Sequence, residues 1–210
     1  MPTTNTILLF LAAALPLCLT PGPGMLYVLS RAAAQGRAAG VVSALSLSVG
    51  TLIHVAALAL GLSALLARVP LAYDVLRLGG AAYLIYLGVR MLLSSSSGGA
   101  DAAAPPPVPL RRIFLQGVLT GTLNPKVALF LLAFLPQFID PSRGTPALQI
   151  VVLGLLFEIL GGSVNLAVGA SAGLAANLLR AGSRSERWLQ RISAAVFIGL
   201  GLRLALPDRR

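Results

Sequence analysis

Charged side chains are scarce in this chain of 210 residues: they make up 10% of it, whereas hydrophobic residues make up 57%. The mean hydropathy is +0.88. A soluble domain carries about 25% charged residues, so the composition argues against a soluble protein and predicts an integral membrane protein. The formal net charge is +10, but the arginines fall mostly in short loops between apolar stretches, where they set membrane orientation. We therefore expect the lipid bilayer as a partner and no nucleic acid.

Cysteine and histidine each occur once, as Cys18 and His54, and only six residues are acidic. A single cysteine excludes an intrachain disulfide, and we interpret Cys18 as a packing residue. One histidine and one cysteine cannot supply a transition-metal cage, and no phosphate-binding Walker motif is present. The sequence therefore predicts no metal, no cofactor, no ATP-driven pump and no enzyme.

Six apolar stretches are long enough, or nearly so, to cross a bilayer, which takes about 20 residues as a helix. We therefore predict an all-α integral membrane fold with six transmembrane helices. With the N-terminus outside, nine arginines fall in the cytoplasm against six outside, and this favours that orientation. The stretches are residues 7–29, 41–66, 72–93, 113–139, 147–179 and 189–206.

Proline motifs interrupt the first and the fourth of these stretches. Proline lacks a backbone N–H and clashes with the preceding turn, so each helix should break there. In a bilayer the freed backbone groups need partners in the protein or in a wet cavity, and paired interruptions indicate a transporter's binding site. The motifs are Thr20-Pro21-Gly22-Pro23-Gly24 and Leu123-Asn124-Pro125-Lys126.

A linker rich in serine, glycine and proline, residues 94–112, divides the chain into residues 1–93 and residues 113–210. The halves resemble each other: Pro125 follows Pro21 by 104 residues, and the third helices align at an offset of 113 residues. Because three helices is an odd number, the second half must enter the membrane upside down. We predict two inverted three-helix repeats with proline-broken first helices and a shared site near the midplane.

Each break should leave a helix N-terminus that points into the protein and attracts an anion such as a carboxylate. Lys126 lies too deep to reach the interface, about 20 Å away at 1.5 Å per residue. A cation there is costly unless a substrate anion or a protein carboxylate accompanies it. Asn124 can bond the ligand or the freed backbone. The predicted substrate-binding residues are Thr20, Pro21, Gly22, Pro23, Gly24, Asn124, Pro125, Lys126 and Glu158.

His54 and Glu158 are the candidates for proton coupling, and each follows its proline by 33 residues. Glu158 could meet a substrate ammonium or carry a proton, since a carboxyl at membrane depth is a functional hypothesis by default. It could also be a neutral packed carboxyl or an ion-pair partner of Lys126. His54 titrates near neutral pH, which suits proton coupling, but a histidine hydrogen-bonded to Ser or Thr is an equal alternative.

Further motifs resemble a known family. They are Thr20 to Pro23 followed by residues 25–31 and Gln35-Gly36-Arg37, residues 79–90, residues 116–126, and residues 133–138 with Asp140. Together they resemble the lysine exporter (LysE/RhtB) superfamily, in its homoserine/threonine-resistance-like branch. The resemblance covers most of the chain and weakens after about Ala147.

The resemblance implies a multi-pass protein of the bacterial inner membrane that exports amino acids or their derivatives, often by proton exchange. It implies that the central site is formed by Pro21, Gly22, Pro23, Asn124, Pro125 and Lys126. Gly24 departs from the pattern, because many relatives carry a polar residue there, often Asn.

Our functional hypothesis is a secondary transporter that exports a small zwitterion, with its carboxylate at Lys126 and its ammonium at Glu158. One alternative is a cation or metal efflux protein, which would want several intramembrane carboxylates or sulfurs. Another is an intramembrane hydrolase that pairs His54 with a serine such as Ser163, which needs a nucleophile–base contact. The sequence does not name the substrate or fix whether the chain forms a homo-oligomer.

Overall fold

The structure is a computed structural model that describes residues 1–68, 70–93 and 107–171, together with 191, 194–199, 201–202 and 205–206. The described part of the chain is all-helical, as predicted, with short irregular connections. Its α-helices are α1 Thr4–Leu19, α2 Pro23–Arg68, α3 Pro70–Leu93, α4 Leu110–Thr122, α5 Pro125–Phe134 and α6 Pro146–Ala170. Residues 194–199 are also helical.

The first predicted break is present between α1 and α2. Thr20 is extended, with φ −77° and ψ 125°, and its N–H donates to Pro16 O at 3.0 Å. Pro23 is the first residue of α2, a place where proline loses no helical hydrogen bond. The chain therefore ends one helix and starts another within three residues, Thr20 to Gly22.

The loop expected between the first two apolar stretches, residues 7–29 and 41–66, is instead a kink at one residue. Helix α2 continues through this region and departs from helical geometry only at Gly36, with φ 80° and ψ −171°. A positive φ is accessible to glycine at little cost because it has no Cβ. Gly36 thus joins the end of the first broken helix directly to the second helix.

The second predicted break lies between α4 and α5, whose axes meet at 41°. Asn124 has φ −75° and ψ 103°, and its side-chain oxygen accepts a hydrogen bond from Lys126 N at 3.1 Å. Asn124 is therefore the N-cap of α5, with Pro125 in the first turn. Helix α4 already begins at Leu110, so the predicted linker, residues 94–112, ends earlier than expected; residues 94–106 lie outside the described part.

Helix α2 packs against both α4 and α6, and glycines make these contacts close. A Cβ added at Gly50 would lie 2.6 Å from the Gly121 carbonyl carbon, and one added at Gly154 would lie 2.6 Å from Val55. Gly40 and Gly169 pack backbone to backbone. Small residues let membrane helices approach closely, so these glycines fix α2 between its two neighbours.

Helix α3 packs against the helical residues near position 200. A Cβ at Gly88 would lie 2.8 Å from Ala194 O, and one at Gly201 would lie 2.8 Å from Ala81 O. The contact is reciprocal, because position 88 meets position 194 and position 201 meets position 81, and each of the later positions lies 113 residues after one of the earlier ones. This is the offset at which the third helices align in the sequence.

Between α1, α5 and α6 lies a cluster of buried aromatic rings. Phe130 stacks on Phe157 with ring centroids 5.5 Å apart and packs at a tilt against Phe134 at 4.9 Å, and Phe10 lies 6.3 Å from Phe134. All four side chains are at most 4% exposed. The cluster packs α1, which precedes the first break, and α5, which follows the second break, against α6.

By length and composition, two of the described helical segments could cross a membrane, Pro23–Gly61 and Pro146–Ala170. The bent pair of α4 with Pro125–Phe138 makes a third if it counts as one span. The described residues thus hold two or three candidate spans, against six predicted. Much of the sixth stretch, residues 189–206, lies outside the described part.

Replacing Gly50 by alanine should destabilise the protein, because the new methyl group would meet the α4 backbone at 2.6 Å. Overpacking of this kind costs about 1–3 kcal/mol. We expect a lower unfolding temperature in detergent for Gly50→Ala. Gly61→Ala, on the same helix with nothing within 4 Å of its Cβ, is the matched control and should be neutral or slightly stabilising. Equal melting of the two variants would contradict the packing described here.

Candidate functional site

The two breaks meet at one cavity of about 70 Å³. Helices α1, α2, α5 and α6 all contribute to its walls. Six of the nine predicted substrate-binding residues line it, whereas Pro21, Pro23 and Pro125 do not: the six are Thr20, Gly22, Gly24, Asn124, Lys126 and Glu158. The prolines therefore shape the breaks, while their neighbours face the cavity.

Lys126 crosses from the second break to the first. Its ammonium Nζ donates hydrogen bonds to Leu17 O at 2.8 Å and to Thr20 O at 2.6 Å. These carbonyls belong to the C-terminal end of α1, where the last carbonyls have no partner within the helix and the dipole is negative. The partner of this deep cation is thus the end of the other broken helix, which the sequence did not predict.

An ammonium carries three donors, and these contacts use two of them. Lys126 therefore keeps one donor for a ligand. Gly22 leaves the space for this side chain, since a Cβ there would lie 3.1 Å from Lys126 Cδ and 3.4 Å from Nζ.

Two helix N-termini also border the cavity. Gly24 and Met25 lie in the first turn of α2, and Val127 lies in the first turn of α5. The first amides of a helix have no carbonyl four residues earlier to bond, and the positive end of the dipole gathers there. Lys126 N is already taken by the Asn124 cap. The geometry therefore puts free amide donors and one ammonium on one side of the cavity, a combination that suits a carboxylate.

Glu158 of α6 also lines the cavity. The hydroxyls of Ser48 and Thr51 on α2 lie beside its carboxyl. Gly162 leaves room for this contact, because a Cβ there would lie 2.5 Å from Glu158 Oε1 and 3.3 Å from Ser48 Oγ. No ion pair joins Glu158 to Lys126 among the described residues. The carboxyl and the ammonium thus stand separately in one cavity, each with neutral partners.

Apolar side chains complete the walls, and these are Leu17, Met25, Leu47, Val127 and Phe157. Cys18 and Asn165 also line the cavity. The cavity therefore combines one cationic end, one carboxyl and an aliphatic and aromatic surface.

His54 does not line the cavity. It lies on α2 three residues beyond Thr51, and its Nε2 is buried without a hydrogen-bond partner. The hydrolase hypothesis needs His54 to contact a serine, but the hydroxyl of Ser163 donates to Ile159 O. The nucleophile–base pair that the hypothesis requires is therefore not formed between His54 and Ser163.

The metal-efflux alternative calls for a cluster of ligating side chains. Within the ranges that the structure describes, no group of three or more His, Cys, Asp or Glu residues could hold a metal ion. Nothing in this part of the chain favours metal as the cargo.

The sequence analysis does not identify Thr51 or Ser48, whose hydroxyls lie beside Glu158, and it interprets Cys18 as a packing residue although Cys18 lines the cavity. The sequence does carry a signal for Thr51. It lies three residues before His54, the position that corresponds to Glu158 in the first half, and this spacing puts both residues on the same face of α2.

Comparison with known proteins agrees with the motifs. The family model described as LysE type translocator matches residues 15–207. An uncharacterized membrane protein of Pseudomonas aeruginosa is 33% identical over 201 residues, covering 89% of this chain and 88% of that protein. A leucine efflux protein of Klebsiella pneumoniae is 29% identical over 198 residues, covering 94% and 93%. A leucine efflux protein of Salmonella typhimurium is 28% identical over 151 residues, covering 72% and 71%. No solved structure matches the chain.

Proposed function

Because this chain belongs to the LysE type translocator family and is a multi-pass inner-membrane protein, we propose that it exports a small neutral amino acid in exchange for protons. The family model describes translocators, so we propose a transporter and not an enzyme. The observation that carries the proposal is one cavity lined by Lys126, by the first turns of two helices and by Glu158. A zwitterion carries one carboxylate and one ammonium, and these charges complement Lys126 and Glu158.

The carboxylate of the substrate would take the third donor of Lys126 and the amides at Gly24, Met25 and Val127. Because Lys126 is already held by Leu17 O and Thr20 O, its charge stays fixed at the cavity without a ligand. Charge-assisted hydrogen bonds from fixed donors are stronger than those from mobile ones, since less ordering is needed on binding.

The ammonium of the substrate would meet Glu158 and the hydroxyl of Thr51. The side chain of the substrate would then lie against the aliphatic and aromatic wall formed by Leu47, Met25 and Phe157. Two relatives are leucine efflux proteins, and an aliphatic side chain of that kind suits an apolar wall. We therefore propose a neutral aliphatic amino acid as the first substrate to test.

We propose that the complete chain forms six transmembrane helices in two inverted repeats. Three observations support this: the two breaks are 104 residues apart, the α3 contacts are reciprocal at 113 residues, and Gly22 touches Lys126. Positions 22 and 126 are themselves 104 residues apart, so corresponding positions of the two halves meet at the cavity. Self-contact of this kind is expected for residues close to a two-fold axis.

Proton exchange would use Glu158, which can hold either a substrate ammonium or a proton. Binding one excludes the other, so the carboxyl would carry substrate outward and a proton inward. His54 lies outside the cavity lining and would act, if at all, on the path of the proton rather than on the substrate.

Counterflow in proteoliposomes tests the proposal directly. We expect vesicles loaded with leucine to take up labelled leucine faster than unloaded ones, and a pH gradient to drive uptake in the exchange direction. Failure to exchange any amino acid in a broad panel would overturn the proposed function.

Cys18 gives an independent test, because it is the only cysteine and it lines the cavity. We expect a transported amino acid to slow the alkylation of Cys18 by a small maleimide, since the bound substrate would cover the thiol. The protein with Cys18→Ser is the control for labelling elsewhere. An alkylation rate that no amino acid changes would contradict a binding site in this cavity.

A further inference from the structure

Two hydroxyls of α2 contact carbonyls of their own helix and also lie beside the carboxyl of Glu158, which is a second possible acceptor. Ser48 Oγ lies 3.3 Å from Ala44 O, and Thr51 Oγ1 lies 3.3 Å from Leu47 O, each four residues earlier on α2. A hydroxyl has one proton, so it can donate to the carbonyl or to the Glu158 carboxyl, but not to both at once.

These contacts to the helix backbone are longer than others of the same kind in this protein. Ser43 donates to Ala39 O at 2.7 Å, Thr120 to Gln116 O at 2.8 Å, and Thr20 to Pro16 O at 2.6 Å. The usual O–H···O distance is about 2.7–2.8 Å. In this comparison, only the two hydroxyls beside Glu158 stand away from their helix carbonyls.

Resting on the proposed function, we propose that Ser48 and Thr51 are positioning residues that hold Glu158 in both of its protonation states. With Glu158 ionised, both hydroxyls donate to the carboxylate. With Glu158 protonated, they turn their protons to Ala44 O and Leu47 O, and an oxygen lone pair accepts the new O–H of the carboxylic acid.

The exchange balances without another reactant. A hydronium ion in the cavity transfers a proton to a Glu158 oxygen: one O–H bond of the hydronium breaks, one O–H bond forms on the carboxyl, water is left, and the charge of the carboxyl rises from −1 to zero. The two hydroxyl protons rotate and stay on their own oxygens. The reverse rotation accompanies the return of the proton to water.

Few other charges act on this carboxyl from the elements around it. In the described lining, α1 contributes Cys18, α5 contributes Lys126, and α4 contributes only Gly121. On α2, His54 lies one turn beyond Thr51 and outside the lining. On α2, the hydroxyls of Ser48 and Thr51 are therefore the groups that act on the ionisation of Glu158.

The test replaces both hydroxyls while keeping side-chain size, as Ser48→Ala with Thr51→Val. Removing the donors penalises the ionised carboxyl, so the acidic limb of substrate KM should move to higher pH by about one unit, which is a tenfold change in proton concentration. Because Thr51 also meets the substrate ammonium in our proposal, we expect KM at the alkaline plateau to rise in this variant, so the test reads the pH at which the limb falls and not the height of the plateau.

Thr51→Ser, with Ser48 unchanged, keeps both hydroxyls and should show the wild-type dependence of KM on pH. Thr120→Val is the matched control: it removes a hydroxyl with a short backbone contact that does not line the cavity. It should leave the profile unchanged. An equal shift in Thr120→Val, or none in the double variant, would overturn the switch.

A readout that does not need transport separates the two proposals. Infrared difference spectra of the purified protein on pH titration report the carboxylic acid C=O band directly, and Glu158→Gln identifies it. If the double variant moves the midpoint of this band, the switch is supported even where counterflow fails and the proposed function is lost. If the midpoint stays, the switch is wrong whatever the transport result.

Discussion

Replacing Lys126 by methionine should abolish exchange. Methionine keeps the length of the side chain but removes both hydrogen bonds, to Leu17 O and Thr20 O, and the fixed positive charge. Hydrogen bonds to charged groups contribute about 1.5–3 kcal/mol each. Since about 1.4 kcal/mol is a tenfold change, loss of the contacts to the substrate and to the end of α1 should lower counterflow at least about 100-fold.

The Lys126→Met variant also tests whether the lysine joins the two breaks. Two carbonyls at the end of α1 would lose their donor, so we expect a lower melting temperature in detergent as well as lost exchange. Arg143→Met is the control, because it removes a cation from an exposed pair with Asp140 outside the cavity. It should leave both measurements close to wild type.

Lys126→Arg distinguishes charge from shape. The guanidinium keeps the charge, but it is larger than an ammonium and planar. The lysine side chain already packs closely against Gly22, where an added Cβ would lie 3.1 Å from Lys126 Cδ, so little room is left for the larger group. We expect partial exchange with raised KM. Full exchange by Lys126→Met would show that the lysine is only structural and would remove the carboxylate site from the proposal.

The breaks could be predicted from the sequence because proline acts locally. Pro23 and Pro125 start helices, and Asn124 caps one, whatever the rest of the protein does. That Lys126 lies well inside an apolar stretch also followed from counting residues, and its membrane depth stays a prediction. These are properties of a few neighbouring residues, and the structure confirms both breaks.

The partners of the charged residues could not be predicted in this way. Lys126 bonds backbone carbonyls of α1, which every residue type possesses, so no pattern marks them. The contact of Glu158 with Ser48 and Thr51 depends on how α2 rotates against α6, and close glycine contacts such as Gly154 on Val55 set that rotation. The kink at Gly36 could not be predicted for another reason: glycines are frequent in this chain, so a single glycine between two apolar stretches does not mark a kink.

The way the breaks are joined has a consequence for transport. Lys126 ties α5 to the end of α1, and the same cavity is bordered by the start of α2 and by Glu158 on α6. If the proposed substrate bridges Lys126 and Glu158, it links α6 to α5 and, through Lys126, to the end of α1. Movement of one group of helices against the other would then depend on what occupies the cavity, as exchange without leak requires.

Replacing Glu158 by glutamine should uncouple transport from protons. Glutamine has nearly the same shape and can still bond the hydroxyls of Ser48 and Thr51, so we expect the variant to fold. It cannot take up a proton, so uptake driven by a pH gradient should fall to the background of empty vesicles. Leucine counterflow needs no net proton movement and should survive, with KM raised about tenfold or more because the ammonium loses a charged partner.

His54→Gln, made beside it, decides which residue carries the proton. Since His54 lies outside the cavity lining, its variant should keep the KM of counterflow and most of the gradient-driven uptake. The opposite pattern, with Glu158→Gln still driven by the gradient and His54→Gln not, would assign the proton to His54 and leave Glu158 as a binding residue only. Loss of gradient-driven uptake in both variants with counterflow intact would place both groups on one proton path, because each would then be required for the same step.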